Sequence, residues 1–196
     1  MTITDASMTP AASTTSSPRF VEALRRLYLT RFAFAVLWAG ALLLTSDSTG
    51  PLLTTLLTVY PLFDAGAVLW RLRADPHAQR PKAAERINIV VSLLFALGLA
   101  VASTASIAAS LAVWGVWAIG SGVPQLITAI RSRQSGGQVA QMLSGGISVL
   151  AGGAFLAQGL RDADDIAGVA GYAVLGGLFF LVSSLRLGVV VRRIVG

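Results

Sequence analysis

The chain has 196 residues, 55% hydrophobic and 12% charged, with a formal net charge of +6. A water-soluble domain carries about 25% charged residues, so too little polar surface is available here for an ordinary soluble globule or for a long disordered chain. The absence of cysteine excludes disulfides, thiolate metal centres and cysteine nucleophiles, and the single histidine, His77, is too few for a histidine metal cage.

Residues 1–17 are rich in Ser, Thr and Ala, with neither a basic start nor an apolar run. They read as a disordered cytoplasmic tail, not as a signal peptide. Ser17 followed by Pro18 is an N-cap with proline at the first helical position. Phe20, Leu24 and Leu27 follow at helical spacing, and Glu22 stands four residues before Arg26. Residues 18–26 are therefore expected to form a short interfacial helix or a lead-in to the first membrane span.

Six apolar runs follow, at about 27–45, 51–72, 87–104, 107–130, 139–158 and 166–187. Each approaches the roughly 20 residues that a helix needs to cross a hydrocarbon core of ~30 Å. Runs such as VVSLLFALGLAVA do not alternate, which excludes a β-barrel. In lipid the backbone polar groups of such segments are satisfied only within a helix. Of the 15 lysines and arginines, all but Arg161 fall at or beside the same ends of these runs. The opposite loops hold Asp47, Asp162, Asp164 and Asp165. The positive-inside rule places both termini in the cytoplasm. The positive charge is thus a topology signal and not a nucleic-acid surface, although it also attracts anionic headgroups.

Arg31, Arg86 and Gln141 open spans one, three and five at a constant interval of 55 residues. The same shift carries Gly98 to Gly153, Trp117 to Tyr172, Gly122 to Gly177 and Arg131 to Arg186. The expected fold is all-α integral membrane, with six transmembrane helices arranged as three tandem hairpin repeats, 31–85, 86–140 and 141–195. An odd number of like-oriented hairpins argues against an inverted-repeat transporter.

The segments YPLFDAGAVLWRLR, WAIGSGVPQLITAIRSR and YAVLGGLFFLVSSLRLG resemble the HdeD-like family, a short membrane repeat of unknown function. The resemblance extends over about residues 25–190. The first repeat departs from it, because Gly40 lies earlier in its unit than Gly98 and Gly153 do in theirs. Membership implies an inner-membrane protein associated with acid or stress resistance, with no catalytic residues to carry over.

Asp64 is the acidic residue inside a span, seven residues and about 10 Å before Arg71. An ionisable group at that depth needs a partner or water. Arg31, one turn inside span one, is the expected partner. Such a pair is either structural or part of a proton- or ion-coupled path. Asn88 and Gln125 are the other amides in this candidate intramembrane polar site, suited to hydrogen bonding between helices. Pro61 and Pro124 free the carbonyls of Leu57 and Gly120 and predict kinks in spans two and four. Ser144, Ser148 and Gly152 share a face of span five. In span six, Gly168, Tyr172 and Gly176 share one face, and Ala173 and Gly177 another. Small residues at this spacing predict close helix packing, a homo-oligomer, or both. Asp162, Asp164 and Asp165 are expected to cap the last span rather than bind calcium, and His77 reads as a solvated loop residue. No nucleotide, metal or nucleophile motif is present. The leading expectation is a non-enzymatic HdeD-like protein without cofactor, acting in stress tolerance by membrane packing or scaffolding. The alternative is a small transporter or channel with a path near Asp64 and Pro124.

Overall fold

A computed structural model describes residues 18–45, 49–74, 83–131 and 138–195. The expectations for the tail 1–17 and for Asp47, His77, Arg80, Lys82 and Arg133 lie outside the described residues. Among the described residues the secondary structure is six helices: α1 Pro18–Leu43, α2 Pro51–Ala74, α3 Ala83–Ala105, α4 Ile107–Arg131, α5 Gln138–Gly159 and α6 Ala167–Val195. All six are long and apolar enough to cross a membrane, which fits a multi-pass membrane protein. Large apolar side chains face outward as well as inward: Leu37 is 75% exposed and Leu150 77%. Water would make that surface costly, whereas hydrocarbon solvates it.

Local chemistry sets the helix ends. Pro18 and Pro51 each open a helix, where the missing N–H is no loss. α1 then runs unbroken, so the 18–26 segment is continuous with the first span, and Arg26 Nε meets Glu22 Oε1 at 3.3 Å. A single residue, Ser106, separates α3 from α4, and its Oγ accepts the Ala109 N–H at 3.0 Å. Asp165 Oδ1 accepts the Ala167 N–H at 2.7 Å, the capping expected of the acidic turn. α2 and α4 continue through Pro61 and Pro124 without a break in helical structure.

The helices form a closed ring in chain order, each packing on its sequence neighbours and α6 returning to α1. The contacts are unequal. α4 with α5, α6 with α1, and α2 with α3 pack extensively, whereas the two helices within each hairpin touch much less. The tight pairs are therefore made across the hairpins.

The α4/α5 pair explains why. Gly159 lies against Ala108, Gly152 against Gly115 and Gly145 against Gly122, one contact every seven residues along two antiparallel helices. A Cβ on Gly159 would stand 2.6 Å from the Ala108 carbonyl oxygen, and one on Gly122 would stand 2.8 Å from that of Gly145. Only hydrogen fits there. The seven-residue period keeps the contact line facing its partner, as in a left-handed coiled coil. In lipid such close packing is a main source of helix association. The α6/α1 pair is closed by Gly177 over Ala35 and by the Ser184 hydroxyl on the Arg25 carbonyl. The α2/α3 pair is joined by the Ser103 hydroxyl on Thr54 Oγ1 at 2.9 Å.

The two ends of the ring differ. The short links between hairpin helices mark one, here the turn end, and Arg25, Arg71, Arg86, Arg131 and Arg192 mark the other, the arginine end. The turn half is solid, filled by Leu42, Leu53, Leu57, Leu99, Leu111, Ile166 and Val169. Trp38 and Trp114 close it toward the middle, their rings stacked at 5.6 Å. Trp114 is fully buried. Tyr60 lies 4.5 Å from the Trp38 ring, and Trp117 lies 5.4 Å from Trp114.

Candidate functional site

Above this aromatic layer, toward the arginine end, the ring is hollow. A cavity of about 570 Å³ receives side chains from all six helices. Its floor is at the level of Tyr60, Trp117 and Tyr172. On α2 the residues Tyr60, Asp64, Val68 and Arg71 form its wall, spaced three and four apart so that one helical face meets the hollow. α4 contributes Ser121 and Gln125 one and two turns beyond Trp117, while α5 contributes Ser144, Ile147 and Ser148. The face of α6 from Tyr172 to Ser183 completes the enclosure.

Asp64 is the centre of the polar wall. Its Oδ1 accepts a hydrogen bond from the Arg31 guanidinium of α1, in an ion pair across the α1/α2 seam. Its Oδ2 accepts from Asn88 Nδ2 at 3.2 Å and from the Ser92 hydroxyl at 3.3 Å, both on α3. One carboxylate thus links three helices. The two side chains keep 16% (Arg31) and 18% (Asp64) of their surface, and both border the cavity. Arg31 is held from a further side by α6, its Cζ 4.1 Å from the Phe180 ring centroid. The charge is satisfied by a pair, two neutral donors and an aromatic face, which is how a buried ion is tolerated in an apolar bundle.

Of the four residues expected to make an intramembrane polar site, the structure joins Arg31, Asp64 and Asn88 directly and places Gln125 on the same cavity. Ser92 belongs with them and was missed. Its position four residues after Asn88, on the same helical face, is the signal that would have found it. The seven-residue partner contacts put Gly152 in the helix interface as expected, and Gly177 packs on Ala35. Ser144 and Gly176 instead border the hollow, and a Cβ on Gly176 would meet nothing within 4 Å. Ser148 does both, since it touches Gly122 and its hydroxyl lies 2.9 Å from Tyr172 Oη. Pro61 is buried in the seal beside Leu57, and the neighbouring Leu56 carbonyl accepts the Trp38 indole N–H at 2.7 Å.

No group of three or more His, Cys, Asp or Glu suited to a metal ion occurs among the described residues. The wall offers hydrogen-bond donors, acceptors and aromatic faces around a drug-sized space, and these elements suit binding. Comparison with protein-family models, with curated proteins and with solved structures finds no match for the chain.

Proposed function

We propose that the chain is a non-enzymatic bacterial inner-membrane protein that takes up a small polar solute into the central cavity, with both termini in the cytoplasm, as a small carrier does. The observation behind this reading is the polar hollow itself. A bundle that served only as packing in the bilayer would gain by filling 570 Å³ with apolar side chains. Here all six helices surround the space instead, with a sealed aromatic floor on one side and arginines on the other. A threefold hairpin repeat accounts for the enclosure, because Trp117 and Tyr172, 55 residues apart, line one floor together with Tyr60 of the first hairpin. Reconstitution in liposomes tests the reading. Exchange of small polar solutes above protein-free liposomes, reduced in Gly176→Phe, is expected. Exchange equal to protein-free liposomes overturns it.

A second reading is membrane packing or scaffolding in acid or stress tolerance, as in an HdeD-like protein, with a second copy of the chain as partner. Its support is the outward face of α5, where Gly146 and Gly153, seven residues apart, have open space at the Cβ position. Cross-linking at Gly153→Cys in membranes that leaves solute exchange at the protein-free level would favour this reading over the first.

A further inference from the structure

The solute class follows from which polar groups of the wall already have partners, an inference that rests on the cavity being a binding site. Both oxygens of Asp64 are engaged, one by Arg31 and the other by Asn88 and Ser92. Arg71 and Gln125 have partners as well. The Ser121 and Ser183 hydroxyls donate to the carbonyls of Ala118 and Phe179, and those of Ser148 and Tyr172 bond to each other. Each charged side chain on the described wall, Arg31, Asp64 and Arg71, is thus already committed. A cationic solute would have to displace Arg31 from Asp64, and an anionic one would have to displace Asp64 from Arg31. Either ion would leave water for a low-dielectric space without a free counter-charge on the described wall, a cost that a neutral solute does not meet.

The hydroxyls of Tyr28, Tyr60 and Ser144 and the indole N–H of Trp117 differ. Among the described residues they make no hydrogen bond, and these residues all border the hollow. A sugar or other polyol brings several hydroxyls, most of which would lose water without finding a partner here. A solute with a single amide or hydroxyl group matches what is free. The rest of the wall is ring and hydrocarbon, with Trp117, Tyr172 and Phe179 beside Ile147 and Leu175. Those surfaces suit a flat apolar body. The volume falls inside the roughly 300–1,000 Å³ of sites that enclose small organic molecules. Tyr60 and Trp117 stand together at the floor, their ring centroids 6.3 Å apart and edge-on, so a free hydroxyl and a free N–H adjoin the same ring surfaces. We propose that this cavity binds an uncharged aromatic amide or alcohol, its ring against Trp117 and Tyr172 and its polar group on the Tyr60 hydroxyl.

Probes that share one ring separate charge from fit: benzamide, benzoate and benzylamine, which at neutral pH are uncharged, anionic and cationic. Sorbitol tests an uncharged solute without a ring. The purified chain is placed in phosphatidylcholine nanodiscs, and binding is read by equilibrium dialysis as the excess over empty nanodiscs. Saturable benzamide binding is expected, with benzoate, benzylamine and sorbitol at least about tenfold weaker. Tyr60→Phe, which removes only the hydroxyl, should weaken benzamide about fivefold, the loss of one hydrogen bond. Gly176→Phe should abolish benzamide binding, because its ring would enter the hollow from a position whose Cβ is unobstructed. Ser144→Phe, entering from α5, is a second block should the first fail to fold. Preference for benzoate or benzylamine overturns the uncharged assignment, and preference for sorbitol overturns the aromatic one; each leaves the cavity as a binding site. Benzamide affinity unchanged in Tyr60→Phe overturns the hydroxyl contact. Benzamide binding that survives both blocking variants in folded protein overturns the location. Failure of all the probes to bind overturns the proposal, and solute exchange in liposomes then decides whether the cavity reading falls with it.

Discussion

Gly115 of α4 and Gly152 of α5 meet backbone to backbone. A Cβ on Gly115 would lie 2.6 Å from the Gly152 carbonyl oxygen, and one on Gly152 would lie 2.8 Å from that of Gly115. Neither atom belongs to a flexible side chain, so the only way to admit a methyl group is to part the helices. Gly152→Ala is expected to cost about 1–3 kcal/mol, the range for overpacking a tight contact. Gly153→Ala, one residue away over open space, should be neutral or stabilising by up to about 1 kcal/mol through helix propensity. Thermal unfolding of the two variants in the same detergent checks the contrast.

The Arg31–Asp64 pair predicts a non-additive result. Asp64→Asn keeps the shape but strips Arg31 of its counter-charge. Breaking a fully buried pair costs about 3–5 kcal/mol, and the partial exposure to the cavity lowers the expected loss to about 1–3 kcal/mol. Removing both charges with Arg31→Met and Asp64→Asn should restore at least half of what Asp64→Asn loses. Equilibrium unfolding of the two singles and the double gives the coupling directly.

Trp38 and Trp114 stack on each other, yet their indole nitrogens differ. The Trp38 N–H donates to the Leu56 carbonyl, whereas that of Trp114 is buried with no acceptor among the described residues. Replacing either by Phe removes a similar volume. Trp38→Phe should therefore be the costlier change by about 1 kcal/mol, the net worth of one hydrogen bond. Equal losses in unfolding experiments would contradict the assigned bond.

How far the sequence determined this arrangement differs from one feature to the next. The six apolar runs were legible to within a few residues at most ends, because lipid imposes length and composition together. Asp64 and Arg31 were legible as partners for the same reason: an apolar span leaves a charge few places to go. Helix pairing was not. The 55-residue periodicity emphasises hairpins, and chain connectivity then suggests that the two helices of a hairpin are the packing unit. Contact area follows instead from where hydrogen replaces a side chain. Gly145, Gly152 and Gly159 lie seven apart, as do Gly115 and Gly122, and that spacing was present in the sequence. The shorter spacing of Ser144, Ser148 and Gly152 drew attention to a neighbouring face that partly borders the cavity. The hollow itself has no linear signature, since its wall is assembled from six separate helices.

The absence of native cysteine makes access to the cavity measurable one position at a time. Ser121→Cys and Ser183→Cys, both on the wall, should react with a membrane-impermeant thiol reagent added from the arginine side of the membrane. Ser110→Cys, fully buried in the turn half, should react from neither side. With the orientation expected from the basic residues, the reactive side is the cytoplasm. Labelling of spheroplasts against inverted vesicles reads both outcomes.

Because α6 packs on α1, the ring is shut by the helices made last and first. During synthesis the α2/α3 and α4/α5 pairs assemble from neighbours as they emerge. The α1/α6 contact instead joins the described helices that lie furthest apart in sequence, so it forms only once α6 has been made. Before then Arg31 lacks Phe180, but Asp64 is already present on α2, the next helix. The ion pair is thus the contact of Arg31 that needs only α1 and α2, whereas its contact with Phe180 needs the far end of the chain.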